Sequence, residues 1–267
     1  KQKTAYEIPK RDWSSDGVLF RSPAVRYARE QPPTRQVRRL DIVVPRSVDP
    51  LSLALSPDGR NLAFVADADH VPQVWVRALD RTEAHPLPGT NGALYPFWSP
   101  DGRAIGFFAD GKLKRVPLAG GGVQTITDQS GDGSTMRGGA WNPTGDIVFA
   151  LSTGLWRVAA TGGSATLIVG KRASLGWPQL LPDGRHFLFY AMDSGTQGRG
   201  PYVGSLDGGM PIRLTDSDTA PILARPDRLL VVQQGTLVSI PFNPSTNVIA
   251  GDPVRSEEHT SELQSRF

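Results

Sequence analysis

The chain has 267 residues, 39% of them hydrophobic, and a formal net charge of +3. That length suits one large all-β domain or two small domains, and so small a charge gives no argument for a nucleic-acid partner. There is no cysteine, which excludes a disulfide framework and a thiolate metal site, and no apolar run reaches the ~18 residues of a membrane span.

Taken in order, residues 1–22 do not read like the rest. Lys1 to Glu7 is what AAG CAG AAG ACG GCA TAC GAG encodes, and Asp12 to Ser22 continues in the same manner. The stretch resembles a translated sequencing-library adapter, and Arg255 to Ser265 resembles its reverse complement. Residues 1–22 and 255–267 are therefore expected to be adapter-derived, as in a metagenomic fragment, and are set aside from fold reasoning. Residues 23–37 carry no apolar period and read as a linker. The domain is expected over 38–254, opening with a strand near Leu40 to Val44.

From Leu51 onward one turn recurs. Its copies are Ser56-Pro57-Asp58-Gly59, Ser99-Pro100-Asp101-Gly102, Asn142-Pro143-Thr144-Gly145, Leu181-Pro182-Asp183-Gly184 and Arg225-Pro226-Asp227. The prolines are spaced by 43, 43, 39 and 44 residues. A period of about 40–45 residues with strand-like contents marks a β-propeller blade. Ser at the first corner, Pro at the second and Gly at the fourth suit a type I turn. Each copy is preceded by a short strand and followed by a continuously apolar one, such as Leu62 to Ala66, Ile105 to Ala109, Ile147 to Leu151, Phe187 to Ala191 and Leu229 to Val232. Two further strands complete each unit. Pro96, Pro178 and Pro221 fall in or beside the first strand, and proline cannot donate to a ladder. The first strand should thus be an edge, the innermost one of its blade. The reading is an all-β β-propeller of four-stranded antiparallel blades, five visible, from a truncated six-bladed ring.

Trp98-Ser99-Pro100-Asp101-Gly102 resembles the WD-like repeats of TolB-type propellers, and the other copies match it in part. Tyr95 to Arg103, Ile105 to Lys114, Trp177-Pro178-Gln179, Leu181 to Phe187 and Tyr202 to Asp207 look like the C-terminal propeller of bacterial eukaryotic-like serine/threonine kinases. Ala24 to Pro33 looks like the linker after the membrane helix of that family. The resemblance implies an extracytoplasmic, periplasmic-side sensor module of a membrane-anchored parent, whose kinase domain and helix are not in this sequence. The Arg-rich linker departs from it, since such flanks usually mark the cytoplasmic side. The alternatives are the propeller of a prolyl-oligopeptidase-like serine peptidase and a TolB-like periplasmic scaffold.

No chemistry is legible. His70, His85 and His186 are not at metal-ligand spacing, and Gly204 to Gly208 has the wrong spacing for a nucleophile elbow. Gly131 to Met136 fails a phosphate-loop fingerprint. Asp67-Ala68-Asp69 and Asp216-Ser217-Asp218 lack the remaining ligands of a calcium site. The fragment is thus expected to be a non-catalytic binding module without metal or cofactor. Candidate binding residues are Trp98, Trp141 and Trp177 at innermost strands, with Asp193 and Arg199 in the long 193–200 loop; packing between blades is the competing reading for the tryptophans. The ligand, protein or small molecule, is not named by the sequence. Association through open blade faces is also expected, with Phe64 and Trp75 on blade one and Val231 and Val232 on blade five.

Overall fold

In the computed structural model, residues 52–68, 70–128, 136–170, 174–192, 198–224 and 227–255 are described. They fall within one compact unit, Val44–Phe267, and form five antiparallel blades. Blade one holds β1 (Leu53–Leu55), β2 (Asn61–Ala68), β3 (Val71–Ala78) and β4 (Ala84–Pro86). Blade two holds β5 (Leu94–Trp98), β6 (Ala104–Ala109), β7 (Lys112–Pro117) and β8 (Gln124–Thr127). Blade three holds β9 (Gly139–Trp141), β10 (Asp146–Leu151), β11 (Gly154–Ala159) and β12 (Thr166–Gly170). Blade four holds β13 (Leu175–Leu180), β14 (His186–Ala191), β15 (Gly200–Ser205) and β16 (Ile212–Arg213). Blade five holds β17 (Ile222–Ala224), β18 (Arg228–Gln233) and β19 (Thr236–Asn243), with its outer strand in two pieces, β20 (Val248–Ile249) and β21 (Val254–Arg255). The fold is the β-propeller that the turn repeat predicts.

Each first strand is a sheet edge, and β1 touches β5, β5 touches β9 and β9 touches β13 along the inside of the ring. The prolines therefore mark the innermost strand, as their missing donor requires. Second strands of the middle blades are apolar on both sides because each of those blades is covered by two neighbours. Ile105 and Phe107 join Val65, Val74 and Trp98 between blades one and two, while Phe108 joins Phe97, Phe149 and Leu113 between blades two and three. Val148 and Leu155 meet Phe187, Phe189 and Tyr202 between blades three and four. Leu188 and Val203 meet Leu229, Val231, Val238 and Phe242 between blades four and five. Among the described residues no such cluster joins blade five to blade one.

Glycine is required where rings cross strands. Phe97 lies over Gly106 of its partner strand and against Gly139 of the next blade, where an added Cβ would come within 2.5 Å of the ring. Phe187 covers Gly204 in the same way.

The blade-face assignment differs from expectation at Val231. Val231 and Val232 are neighbours on one strand, so they point to opposite faces. Val231 is 1% exposed and packs toward blade four. The other face of blade five carries Val232 and Leu230 with Ile222 and Leu237, the last two 59% and 47% exposed. On blade one Phe64 is buried, whereas Leu53, on the same face and paired with it, is exposed. The stretch Leu40 to Val44 and the two terminal segments lie outside the described residues, apart from Arg255 in β21.

Candidate functional site

The two ends of each blade are built differently. At the turn end the repeat supplies its own hydrogen bonds. Ser99 Oγ donates to Asp101 Oδ1 at 2.6 Å and accepts from the Ala104 N–H at 2.9 Å, while Asp101 Oδ1 also accepts from the Arg103 N–H at 3.0 Å. Ser56 and Asp58 repeat the pattern at 2.5 Å, with Asn61 N–H on Ser56 Oγ at 2.8 Å. The fourth-corner glycines, Gly59 and Gly102, have φ of 70° and 69°, which no Cβ-bearing residue adopts as easily. In blade three Asn142 replaces Ser and Asp together: its Oδ1 accepts from the Thr144 N–H, and its Nδ2 reaches the Gly184 carbonyl of blade four at 2.5 Å. In blade four Leu181 has no hydroxyl, and His186 Nδ1 holds Asp183 Oδ2 instead, at 2.5 Å. His186 thereby has a structural partner.

These bonds set the carboxylate pKa values. Asp58 and Asp101 are held below the usual range, chiefly by the Ser56 and Ser99 hydroxyls and then by backbone N–H groups. Burial pushes Asp183 up, but the hydrogen bonds from His186, its N–H and the Arg185 N–H together bring it below the ordinary value.

The loop end, where blades connect and second strands meet third strands, is irregular. In blades two and four the inner strand carries a bulge. Tyr95-Pro96 opposes one residue of β6, and Trp177-Pro178 opposes one residue of β14. Tyr95 has φ of 47° and Trp177 of 50°. Bulges of this kind normally place glycine at the left-handed position, and blade three does so with Gly138 at φ 85°. A bulky residue there costs about 1–3 kcal/mol, a cost that persists where the surroundings enforce it and that clusters at functional positions.

Tyr95 packs partly into the apolar cluster between blades two and three. Trp177 is half-buried in blade four, its ring centroid 6.3 Å from that of Tyr190. Tyr190 is 2% exposed and donates its hydroxyl to the Ser217 carbonyl at 2.8 Å. Arg199 Nε donates to the same hydroxyl at 2.7 Å, its Nη2 donates to the Asp218 carbonyl at 2.9 Å, and its guanidinium carbon lies 5.9 Å from the Tyr190 ring centre. Arg213 in turn donates to the Arg199 carbonyl at 2.6 Å and to Asp216. The Tyr190 hydrogen bond raises the Arg199 pKa, and the Asp216 hydrogen bond raises that of Arg213. The result is an aromatic pair with a fixed guanidinium at its edge, strapped to the segment that leads into blade five.

Of the sequence candidates, the structure brings Trp177 and Arg199 together through Tyr190. Asp193 lies outside the described residues. Trp98 is 7% exposed, and its indole N–H donates to the Ala54 carbonyl of blade one at 2.9 Å. Trp141 is half-buried against the cluster between blades two and three. Both stand two residues before their turn proline, whereas Trp177 stands five before Pro182, at the opposite end of its strand. Counting from the turn proline separates these classes. Tyr190 escaped sequence reading because it looks like one more core residue of a second strand.

Elsewhere, open hollows of about 640 Å³ and 400 Å³ lie toward the outer side, between blades two and three and between blades three and four. The second is crossed by the Arg157–Asp146 ion pair at 3.0 Å. Among the described residues no group of three His, Asp or Glu side chains is placed to hold a metal ion, and no helix is long and apolar enough to cross a membrane.

No protein-family model and no curated protein matches this chain. Solved structures do. A protein described as TolB from Agrobacterium tumefaciens superposes with a TM-score of 0.59 at 15% identity, over 76% of this chain and 79% of that one. TolB from Acinetobacter baumannii gives 0.62 at 20% identity, over 78% of this chain and 54% of that one, so the present chain spans about half its length. An oligogalacturonate lyase from Vibrio parahaemolyticus gives 0.56 at 19% identity, over 80% and 66%. At these identities the likeness is one of fold, the β-propeller that these structures share with the present chain.

Proposed function

We propose that this chain is a non-catalytic binding module that presents the loop end of blade four to a partner. The observation that carries the proposal is Trp177, a half-buried tryptophan held in a left-handed conformation where the neighbouring blade uses glycine. The bulge sets that side chain against Tyr190, whose hydroxyl also receives the Arg199 guanidinium. A propeller offers binding surface by default, with function set by the site and not by the fold.

The motif resemblance to receptor-like kinase propellers supports a parent protein in which this module is the extracytoplasmic sensor. The TolB-type neighbours support a second reading, a periplasmic scaffold on the same architecture. Reading the source DNA beyond both ends separates them: kinase motifs and an apolar helix upstream support the first, a secretory leader the second. The binding role itself is tested by recording amide and indole NMR spectra during a peptide screen. Perturbations centred on residues 136–138, 176–179 and 198–200 are expected. Turnover of a substrate, or perturbations confined to the turn end, would contradict it.

A further inference from the structure

Trp177 has a neighbour across the blade boundary. Its backbone N–H donates to the Arg137 carbonyl at 2.7 Å, which pins the inner strands of blades three and four together at the loop end. A Cβ on Gly176 would come 2.9 Å from Arg137 Cβ, so the glycine leaves room for the arginine stem. A Cβ on Gly138 would lie 3.6 Å from Trp177 Cα and 3.8 Å from Trp177 Cδ1. Arg137, Gly138 and Trp177 therefore share one corner of the structure.

Five other described arginines in blades three to five have side-chain partners. Arg157, Arg185, Arg213 and Arg228 each face a carboxylate, and Arg199 is held by Tyr190 and the Asp218 carbonyl. Arg137 is half-buried, yet among the described residues its guanidinium has no hydrogen-bond acceptor and no ion-pair partner. The Arg137 stem packs against Gly176, and the planar fork of a guanidinium matches a carboxylate on two parallel N–H bonds.

Resting on the reading of this end as a binding surface, we propose that Arg137 and Trp177 together receive a carboxylate-bearing peptide segment. Arg137 takes the carboxylate, and the Trp177 indole covers the apolar or aromatic side chain beside it. A free phosphate or sulfate would satisfy Arg137 alone and leave the indole unused, which is why a peptide carboxylate with an apolar neighbour is the better fit.

The test titrates the full chain with N-acetyl-phenylalanine and with its amide, which differ only in the carboxylate, following the Trp177 indole and residue 136–138 amide resonances. The acid should bind about tenfold tighter than the amide, the lower end of what a charge-assisted hydrogen bond gives. In Arg137→Gln the two should bind alike, and Arg137→Lys should keep part of the preference because it retains the charge and loses the fork. A preference that survives in Arg137→Gln overturns the proposal. Equal binding of acid and amide to the unmodified chain, with both lost in Trp177→Ala, overturns the carboxylate role and leaves the binding surface standing. If neither compound perturbs these resonances, both proposals fall.

Discussion

The turn end and the loop end of the propeller use the same residue types for opposite purposes. At the turn end Trp98 is buried, its indole N–H is spent on a neighbouring blade, and its backbone lies in an ordinary strand. At the loop end Trp177 is half-buried, meets a tyrosine ring at a tilt, and sits where the backbone is strained. One tryptophan stabilises the ring; the other is held at a cost to it. What differs is not the side chain but its position relative to the turn and whether the local bonds close on themselves.

The comparison breaks most visibly at Trp98. Trp98→Ala should cost about 3–5 kcal/mol, the range for truncating a buried aromatic, read as a large fall in the denaturant midpoint. A loss below about 1 kcal/mol would show that the blade-one contact is dispensable. Gly139→Ala comes next. The added methyl meets the Phe97 ring, so destabilisation by about 1–3 kcal/mol is expected from overpacking; Phe97→Leu in the same background should recover part of it.

Ser99→Ala sharpens the account of the turn itself. It removes two hydrogen bonds at a buried position and should cost about 1 kcal/mol. Asn142→Ala should also loosen the link between blades three and four. A smaller effect follows from acid. Asp58, Asp101 and Asp183 have folded-state pKa values below the ordinary carboxylate value. Their contribution is fully present above about pH 4 and is lost as pH falls through the lowered values. Unfolding curves in that window should shift toward lower denaturant, less so in Asp101→Asn. The same slope in Asp101→Asn would place the sensitivity elsewhere.

The turn end was legible because its determinants are local. Ser, Pro, Asp and Gly each act within about five residues of chain, so five worn copies still announce five blades. Even substitutions kept the logic: Asn142 does the work of two side chains, and His186 supplies the partner that Leu181 cannot. The loop end was not legible because its parts are far apart in sequence. Trp177, Tyr190 and Arg199 meet only once blade four has folded, and Arg137 reaches Trp177 only when blade three packs beside it. The sequence grouped three tryptophans by type, whereas their distance from the turn proline divides them. Val231 and Val232 are adjacent and equally apolar, and only the period of two along a strand sends them to opposite faces.

The most direct measurement is the melting temperature of Trp177→Gly. Glycine relieves the left-handed backbone and forfeits the contact with Tyr190, effects of about 1 kcal/mol each and opposite in sign. The expected melting temperature lies within about 4 °C of the unmodified chain, with binding at the loop end lost. A fall as large as that of Trp98→Ala would contradict the account, because Trp177 would then be part of what holds the propeller together.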